Sequence, residues 1–192
     1  MMNYFLGFFP DQKANYKIRK VVGEVGRIFR DFNIPVRWVK PETYHISLYI
    51  LGDHFNILQR FLLSRKIRKI SFEPFTISLG KVKLGISRKY KELVYLDINE
   101  GGEKLRELLH VVRKEIPGKD SSTFVPHLTI GRVSKDLSEE EYRNLVKDIH
   151  NISNSLKIEE ISFTVNEMYL VKSRQGDYSL VMKFDAKSNM LS

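Results

Sequence analysis

Apolar positions along this chain recur with two periods, and the switching between them sets out the expected elements. "NYFLGFF" reads as a strand. From Asp11 to Phe32 the apolar residues Ile18, Val21, Val22, Val25, Ile28 and Phe29 fall near helical spacing, between Pro10 and Pro35. "IPVRWV" and "HISLYIL" are two short β-rich runs joined by a turn at Pro41, and a helix is expected from about His54 to Arg68. "FEPFTISLGKVKLGI" and "ELVYLDI" alternate as strands around the polar turn "SRKYKE". "GGEKLRELLHVVRKEI" is a helix that begins after paired glycines and stops at the loop "PGKDSS". A strand, "FVPHLTIGRV", follows. "SEEEYRNLVKDI" opens a helix with a Ser138–Glu141 capping box. The last two runs, "IEEISFTVNEMYLVKS" and "YSLVMKFD", read as two strands joined through "RQGD".

This order of strands and helices is followed by a similar course, so residues 1–192 are expected to form a single domain of two pseudo-repeated halves, roughly 1–100 and 101–192. Each half supplies a strand that follows a proline and carries a histidine with a hydroxyl residue two positions on. Residues i and i+2 of a strand share a face. His45 and Ser47 therefore lie opposite Ile46, Leu48 and Ile50, and His127 and Thr129 lie opposite Leu128 and Ile130. A pseudo-two-fold arrangement would set the two strands side by side and let the four polar side chains converge in a groove.

Composition narrows the possible partners. With 42% hydrophobic and 29% charged residues the chain is that of a soluble globular protein. It has no apolar run long enough to span a bilayer and no leader-like N-terminus, so a cytoplasmic protein without membrane contact is expected. The absence of cysteine removes thiolate chemistry and Cys-based zinc sites. A net charge of +9 favours a polyanionic partner.

Two imidazoles facing each other across a phosphate suit one task. The neutral ring takes a proton from an attacking water while the protonated ring gives one to the leaving oxygen; an ordinary histidine pKa near 6.5 lets both forms exist near neutral pH. Hydroxyls of Ser47 and Thr129 would donate to the non-bridging phosphate oxygens and hold the group in line. This chemistry needs no metal and no cofactor. The sequence has no His-x-x-x-His pair, no Gly-x-Ser-x-Gly elbow and no phosphate-binding glycine loop. His54, His110 and His150 lack a hydroxyl partner along a strand and are expected to be structural or on the surface.

"VRWVKPETYHISLYILGD" and "FVPHLTIGRV" resemble the paired signatures of the two-histidine (2H) phosphoesterases, and specifically the RNA 2′,3′-cyclic phosphodiesterases once called 2′-5′ RNA ligases. The resemblance extends to the first strand and to "MYLVKSRQGDYSLV". It implies an α+β fold of two lobes, each an antiparallel sheet backed by helices on the outside, with the active groove between them. The implied reaction is metal-independent hydrolysis of RNA 2′,3′-cyclic phosphate termini to 2′-phosphomonoesters, with room for a weak, reversible 2′-5′ ligation. By the same likeness His45 matches the proton donor, His127 the proton acceptor, and Ser47 and Thr129 the phosphate-holding hydroxyls. Ser47 stands where threonine is usual. Tyr49 stands where the family often has a basic residue; strand alternation puts it on the His45 face, either stacked on a base or packed at the groove edge. Arg132 matches a frequent family arginine, but alternation puts it opposite His127 unless a bulge re-aims it.

RNA with cyclic phosphate ends, tRNA fragments among them, is the implied partner. No obligate protein partner is inferred, and a monomer is expected. Arg37, Lys40, Lys172 and Arg174 are candidates for a basic rim, and Trp38 for core packing. Two other readings stay open: phosphoesterase chemistry on small cyclic nucleotides or 2′-5′ oligoadenylates, and a nucleotide- or RNA-binding module without turnover.

Overall fold

The structure, a computed structural model, describes residues 2–52, 57–86, 91–116, 124–174 and 177–187. His54 and the loop positions at 87–90, 117–122 and 175–176 lie outside the described residues.

The chain opens with strand β1 (Met2–Phe8) and helix α1 (Gln12–Asp31). Asp11 caps α1 by accepting the Ala14 N–H at 2.7 Å, and the stripe Ile18, Val21, Val25 and Phe29 is buried along one side. Strand β2 (Val36–Trp38), a 3₁₀ turn at Pro41–Thr43, β3 (Ile46–Gly52), α2 (Ile57–Ile67) and β4 (Phe75–Leu84) follow. The second course is β5 (Leu93–Glu100), α3 (Gly102–Glu115), β6 (His127–Val133) and α4 (Glu139–Ser155), the last with the expected Ser138–Glu141 capping box. It closes with β7 (Ser162–Val165), β8 (Glu167–Arg174) and β9 (Asp177–Asp185). α4 continues past the expected end at Ile149 because Ser153 is recruited inward, its hydroxyl accepting the Val82 N–H at 2.9 Å.

All pairings are antiparallel, in the order β7-β4-β5-β6-β3-β1-β8-β9, with β2 beside β6. The same strand–helix–strand–helix–strand course runs twice, as β1–α1–β3–α2–β4 and β5–α3–β6–α4–β8. The third strand of each course crosses to the other: β4 pairs with β5, and β8 with β1. The two courses are therefore interlocked, and each lobe's sheet is completed by a strand of the other course. "IEEISFTVNEMYLVKS", expected as one strand, splits at Asn166, since β7 pairs with β4 in one lobe and β8 with β1 in the other.

One sheet face carries Leu6, Phe8, Ile46, Leu48, Ile77, Leu79, Leu96, Leu128 and Ile130. These merge with α1 (Ile18, Val25), α3 (Leu105, Leu109) and α4 (Leu145, Ile149) into one buried core. The helices lie outside that face, and the opposite face of the two lobes forms the groove. This is a bilobal α+β fold. Among the described residues no helix is long and apolar enough to cross a membrane.

Candidate active site

Among the described residues the two lobes' sheets meet at a single residue pair, Ile46 opposite Leu128, both fully buried on the core side. In an antiparallel ladder the positions flanking such a pair are also opposed. His45 therefore faces Thr129 and Ser47 faces His127, all four on the groove side. Beyond the seam β3 is held by β1, while Gly131–Val133 of β6 are held by β2, so the two lobes part and the groove opens. Strand neighbours add Gly7 beside Ser47, Tyr95 beside Thr129 and Asp97 beside His127.

Both rings are fixed in the same way. His45 Nδ1 lies 2.8 Å from the Thr43 carbonyl, and His127 Nδ1 lies 2.8 Å from the Val125 carbonyl, in each case two residues back. A carbonyl only accepts, so each Nδ1 donates its hydrogen and Nε2 is the atom left to exchange a proton. The Pro41 turn supplies the first of these carbonyls, which is what the run "PETYH" builds. Burial holds the His45 pKa below the ordinary histidine value; the Thr43 hydrogen bond opposes this and the charge of His127 adds to it. Burial also lowers His127, against the Val125 hydrogen bond and with help from Arg132.

The walls differ. Around His45 stand Phe5, Tyr178 and Phe9, with ring centroids at 4.8, 5.0 and 6.0 Å, and Tyr169 meets Phe9 edge-on at 5.4 Å. Against His127, among the described residues, stands one ring, Tyr95 at 5.5 Å, in company with charged side chains. Asp97, its cross-strand neighbour, is bound to Lys83 at 2.5 Å. Among the described residues no group of three or more His, Asp or Glu side chains is placed to hold a metal ion.

A matched pair of bulges decides where the flanking residues point. On β6, Thr129 faces Tyr95 and Gly131 faces Val94, leaving Ile130 as the extra residue. On β3, Ser47 faces Gly7 and Tyr49 faces Leu6, leaving Leu48 as the extra residue. Each bulge resets the alternation, so the fifth residue after each histidine, Ile50 or Arg132, returns to the groove side. Arg132 is thus re-aimed: its charge reaches both His127 and Tyr178, and its guanidinium is braced by Glu92 at 2.8 Å. Ile50, the corresponding residue of the first half, is 54% exposed.

The same bulge corrects the expectation for Tyr49. It turns into the core at 1% exposure instead of sharing the His45 face, and its hydroxyl donates to the Ile116 carbonyl at 3.1 Å. Removing that hydroxyl with Tyr49→Phe is expected to cost about 1 kcal/mol of stability in urea unfolding, because a buried carbonyl loses its donor, and to leave turnover unchanged.

Trp38 packs between the Phe29 ring, edge-on at 5.7 Å, and Gly131, where a Cβ would come within 2.8 Å of the indole. Arg37 pairs in register with Arg132, so it shares the groove face; Lys40 is exposed just before the Pro41 turn. Lys172 and Arg174 lie at the far end of β8. His110 is within α3, and His150 lies within α4 next to the Asn154 amide. Sequence reasoning missed Phe5, Gly7, Phe9, Tyr95 and Tyr178. The first three carried a signal, since period-two spacing along "NYFLGFF" sets them on one face; Tyr178 arrives only through long-range pairing.

A sequence model of the 2′-5′ RNA ligase superfamily matches residues 9–177. An RNA 2′,3′-cyclic phosphodiesterase of Aquifex aeolicus is 30% identical over 186 residues, covering 86% of this chain and 96% of its own. A protein of the same description from Methanothermobacter thermautotrophicus is 23% identical, covering 79% and 84%. The crystal structure of E. coli LigT complexed with 3′-AMP superposes with a TM-score of 0.70 at 16% identity, over 97% of this chain and 99% of that one, a likeness of fold.

Proposed function

The chain belongs to the 2′-5′ RNA ligase superfamily, and from that premise we propose that it is an RNA 2′,3′-cyclic phosphodiesterase acting as one domain of two pseudo-repeated halves. It opens a terminal 2′,3′-cyclic phosphate to a 2′-phosphomonoester with its own imidazoles and hydroxyls. The observation that carries this reading is the one-pair seam, which sets two identically anchored imidazoles across one groove.

In the proposed cycle neutral His127 takes a proton from water, and the water oxygen bonds to phosphorus. The bond from phosphorus to the 3′-oxygen breaks in line, and protonated His45 gives its proton to that oxygen. Ser47 and Thr129 donate to the non-bridging oxygens, and Arg132 adds positive charge on the His127 side. The ribose and base stay with the leaving oxygen, so they belong on the wall that can stack a base. Phe9, Tyr178 and exposed Ile50 make that the His45 wall, which supports His45 as the donor. The reverse reaction, 2′-5′ ligation, would use the same groups with roles exchanged.

Two experiments test this. An oligoribonucleotide ending in a 2′,3′-cyclic phosphate, incubated with the protein and EDTA, is expected to yield the 2′-phosphate. A 3′-phosphate product, or turnover only with added divalent metal, overturns the reading. The second is a pH profile. Turnover needs one ring neutral and one protonated, and both pKa values in the free protein lie below the ordinary 6.5. The kcat/KM profile should therefore be bell-shaped with its maximum below pH 6.5, falling above it as His45 loses its proton. Bound phosphate anion favours the protonated rings, so the kcat maximum should sit at higher pH. A kcat/KM still rising from pH 6.5 to 8 contradicts the assignment.

A further inference from the structure

Outside the groove, α2 and the turn that follows it carry positive charge with no negative charge among them. Residues 57–70 hold five Lys or Arg and no Asp or Glu, whereas α1, α3 and α4 each mix both signs. Arg65, Lys66, Arg68 and Lys69 are all exposed, and none pairs with a carboxylate among the described residues. The cations of the other helices are partly compensated, as in Arg27–Glu24, Lys104–Glu107 and Arg106–Glu103.

The same surface carries exposed apolar side chains. Phe61 is 56% and Leu62 51% exposed, with the Arg65 guanidinium 6.0 Å from the Phe61 ring centroid. Helical spacing puts Arg65 one turn after Phe61 and Lys66 one turn after Leu62, and Arg68 and Lys69 follow in the turn that ends the helix. Leu63, Ile67 and Ile70 anchor the other side of the helix in the core. An aromatic face beside a file of exposed cations is what a single-stranded nucleic acid needs, a base stacking on the ring and phosphates on the charges. A membrane surface fits less well, because the continuous apolar face of α2 is already turned inward.

Chain order joins the helix to the strand that carries His45. β3 leaves the seam and ends at Gly52, and α2 starts at Ile57. Gly52 lies opposite Tyr4 of β1, and Tyr4 lies opposite Lys172 of β8, with Arg174 one step further out. Lys172 and Arg174 therefore stand at the same end of the sheet as the end of β3, the strand that precedes α2 in the chain.

We propose that α2 is a second RNA-binding surface, which holds the body of the strand whose cyclic end sits in the groove. This rests on the reading of the substrate as RNA, and it makes length a determinant of substrate choice. The test measures binding of a single-stranded oligoribonucleotide with an ordinary 3′-hydroxyl end, so that no chemistry is involved. Fluorescence anisotropy across a salt series compares the wild type with an Arg65→Gln, Lys66→Gln, Arg68→Gln, Lys69→Gln variant and with Phe61→Ala.

Four lost phosphate contacts at about 0.7 each should reduce the magnitude of the log K against log salt slope by about 3. Phe61→Ala should weaken binding with the slope unchanged. Both variants should hydrolyse a dinucleotide ending in a 2′,3′-cyclic phosphate at the wild-type rate while losing any advantage for a long RNA. An unchanged slope and affinity in the quadruple variant overturns the proposal, as does wild-type binding to acidic phospholipid vesicles that RNA does not displace. Failure of the wild type to hydrolyse the dinucleotide would instead count against the phosphodiesterase reading, which the binding assay does not involve.

Discussion

Replacing either seam histidine with alanine is expected to lower kcat on a cyclic-phosphate RNA end by about 10²–10⁴, the usual worth of one positioned proton-transfer group. His127→Ala removes the proposed acceptor, whose Nε2 is set by the Val125 carbonyl, and the water would then attack without losing its proton to the protein. His45→Ala removes the proposed donor, set by the Thr43 carbonyl, and the 3′-oxygen would have to leave as an alkoxide. The double variant should be little worse than the poorer single one, because groups that act in one step are not additive. Steady-state kinetics with all three variants, alongside thermal unfolding, check this. Loss of His45 also opens space among Phe5, Phe9 and Tyr178, so a modest fall in Tm is expected in that variant. Unchanged turnover in either single variant contradicts the assignment.

The next largest effect belongs to the hydroxyls. Thr129→Val and Ser47→Ala should each reduce kcat by about 10²–10³, as the loss of one donor to a developing oxyanion does elsewhere, with KM changed far less. Thr129 is held by its β-branch and its place beside Tyr95. Ser47 faces Gly7, which has no side chain; a Cβ there would come within 2.7 Å of the Ile46 carbonyl oxygen and 3.1 Å of the Phe5 ring. Thr129→Ser should keep most of the activity, since the donor remains. A loss confined to KM would mean that the hydroxyls bind substrate and transition state equally.

What the sequence made legible depended on the range of the interaction. That His45 and Ser47 share a face, and His127 and Thr129 likewise, follows from strand parity over three residues, and no bulge falls between them. Tyr49 and Arg132 sit just beyond that range. Parity put Tyr49 in the groove and Arg132 out of it, and in each strand one extra residue, Leu48 or Ile130, reverses the outcome. The reversal depends on which residues of β1 and β5 lie opposite, which no local pattern records. The split of "IEEISFTVNEMYLVKS" has the same origin, since the two parts pair with strands at opposite ends of the sheet. The aromatic wall around His45 joins Phe5 and Phe9 to Tyr178 from the other end of the chain, and only the crossing of β8 to β1 brings them together.

The account turns on which ring protonates the leaving oxygen, and a substrate whose bridging 3′-oxygen is replaced by sulfur tests that most directly. A thiolate leaves without a proton, so the donor becomes dispensable while the acceptor does not. On this substrate His45→Ala should recover to near the wild-type rate, and His127→Ala should stay impaired. Recovery of His127→Ala in place of His45→Ala, or of neither, would contradict the assignment of donor and acceptor to the two sides of the seam.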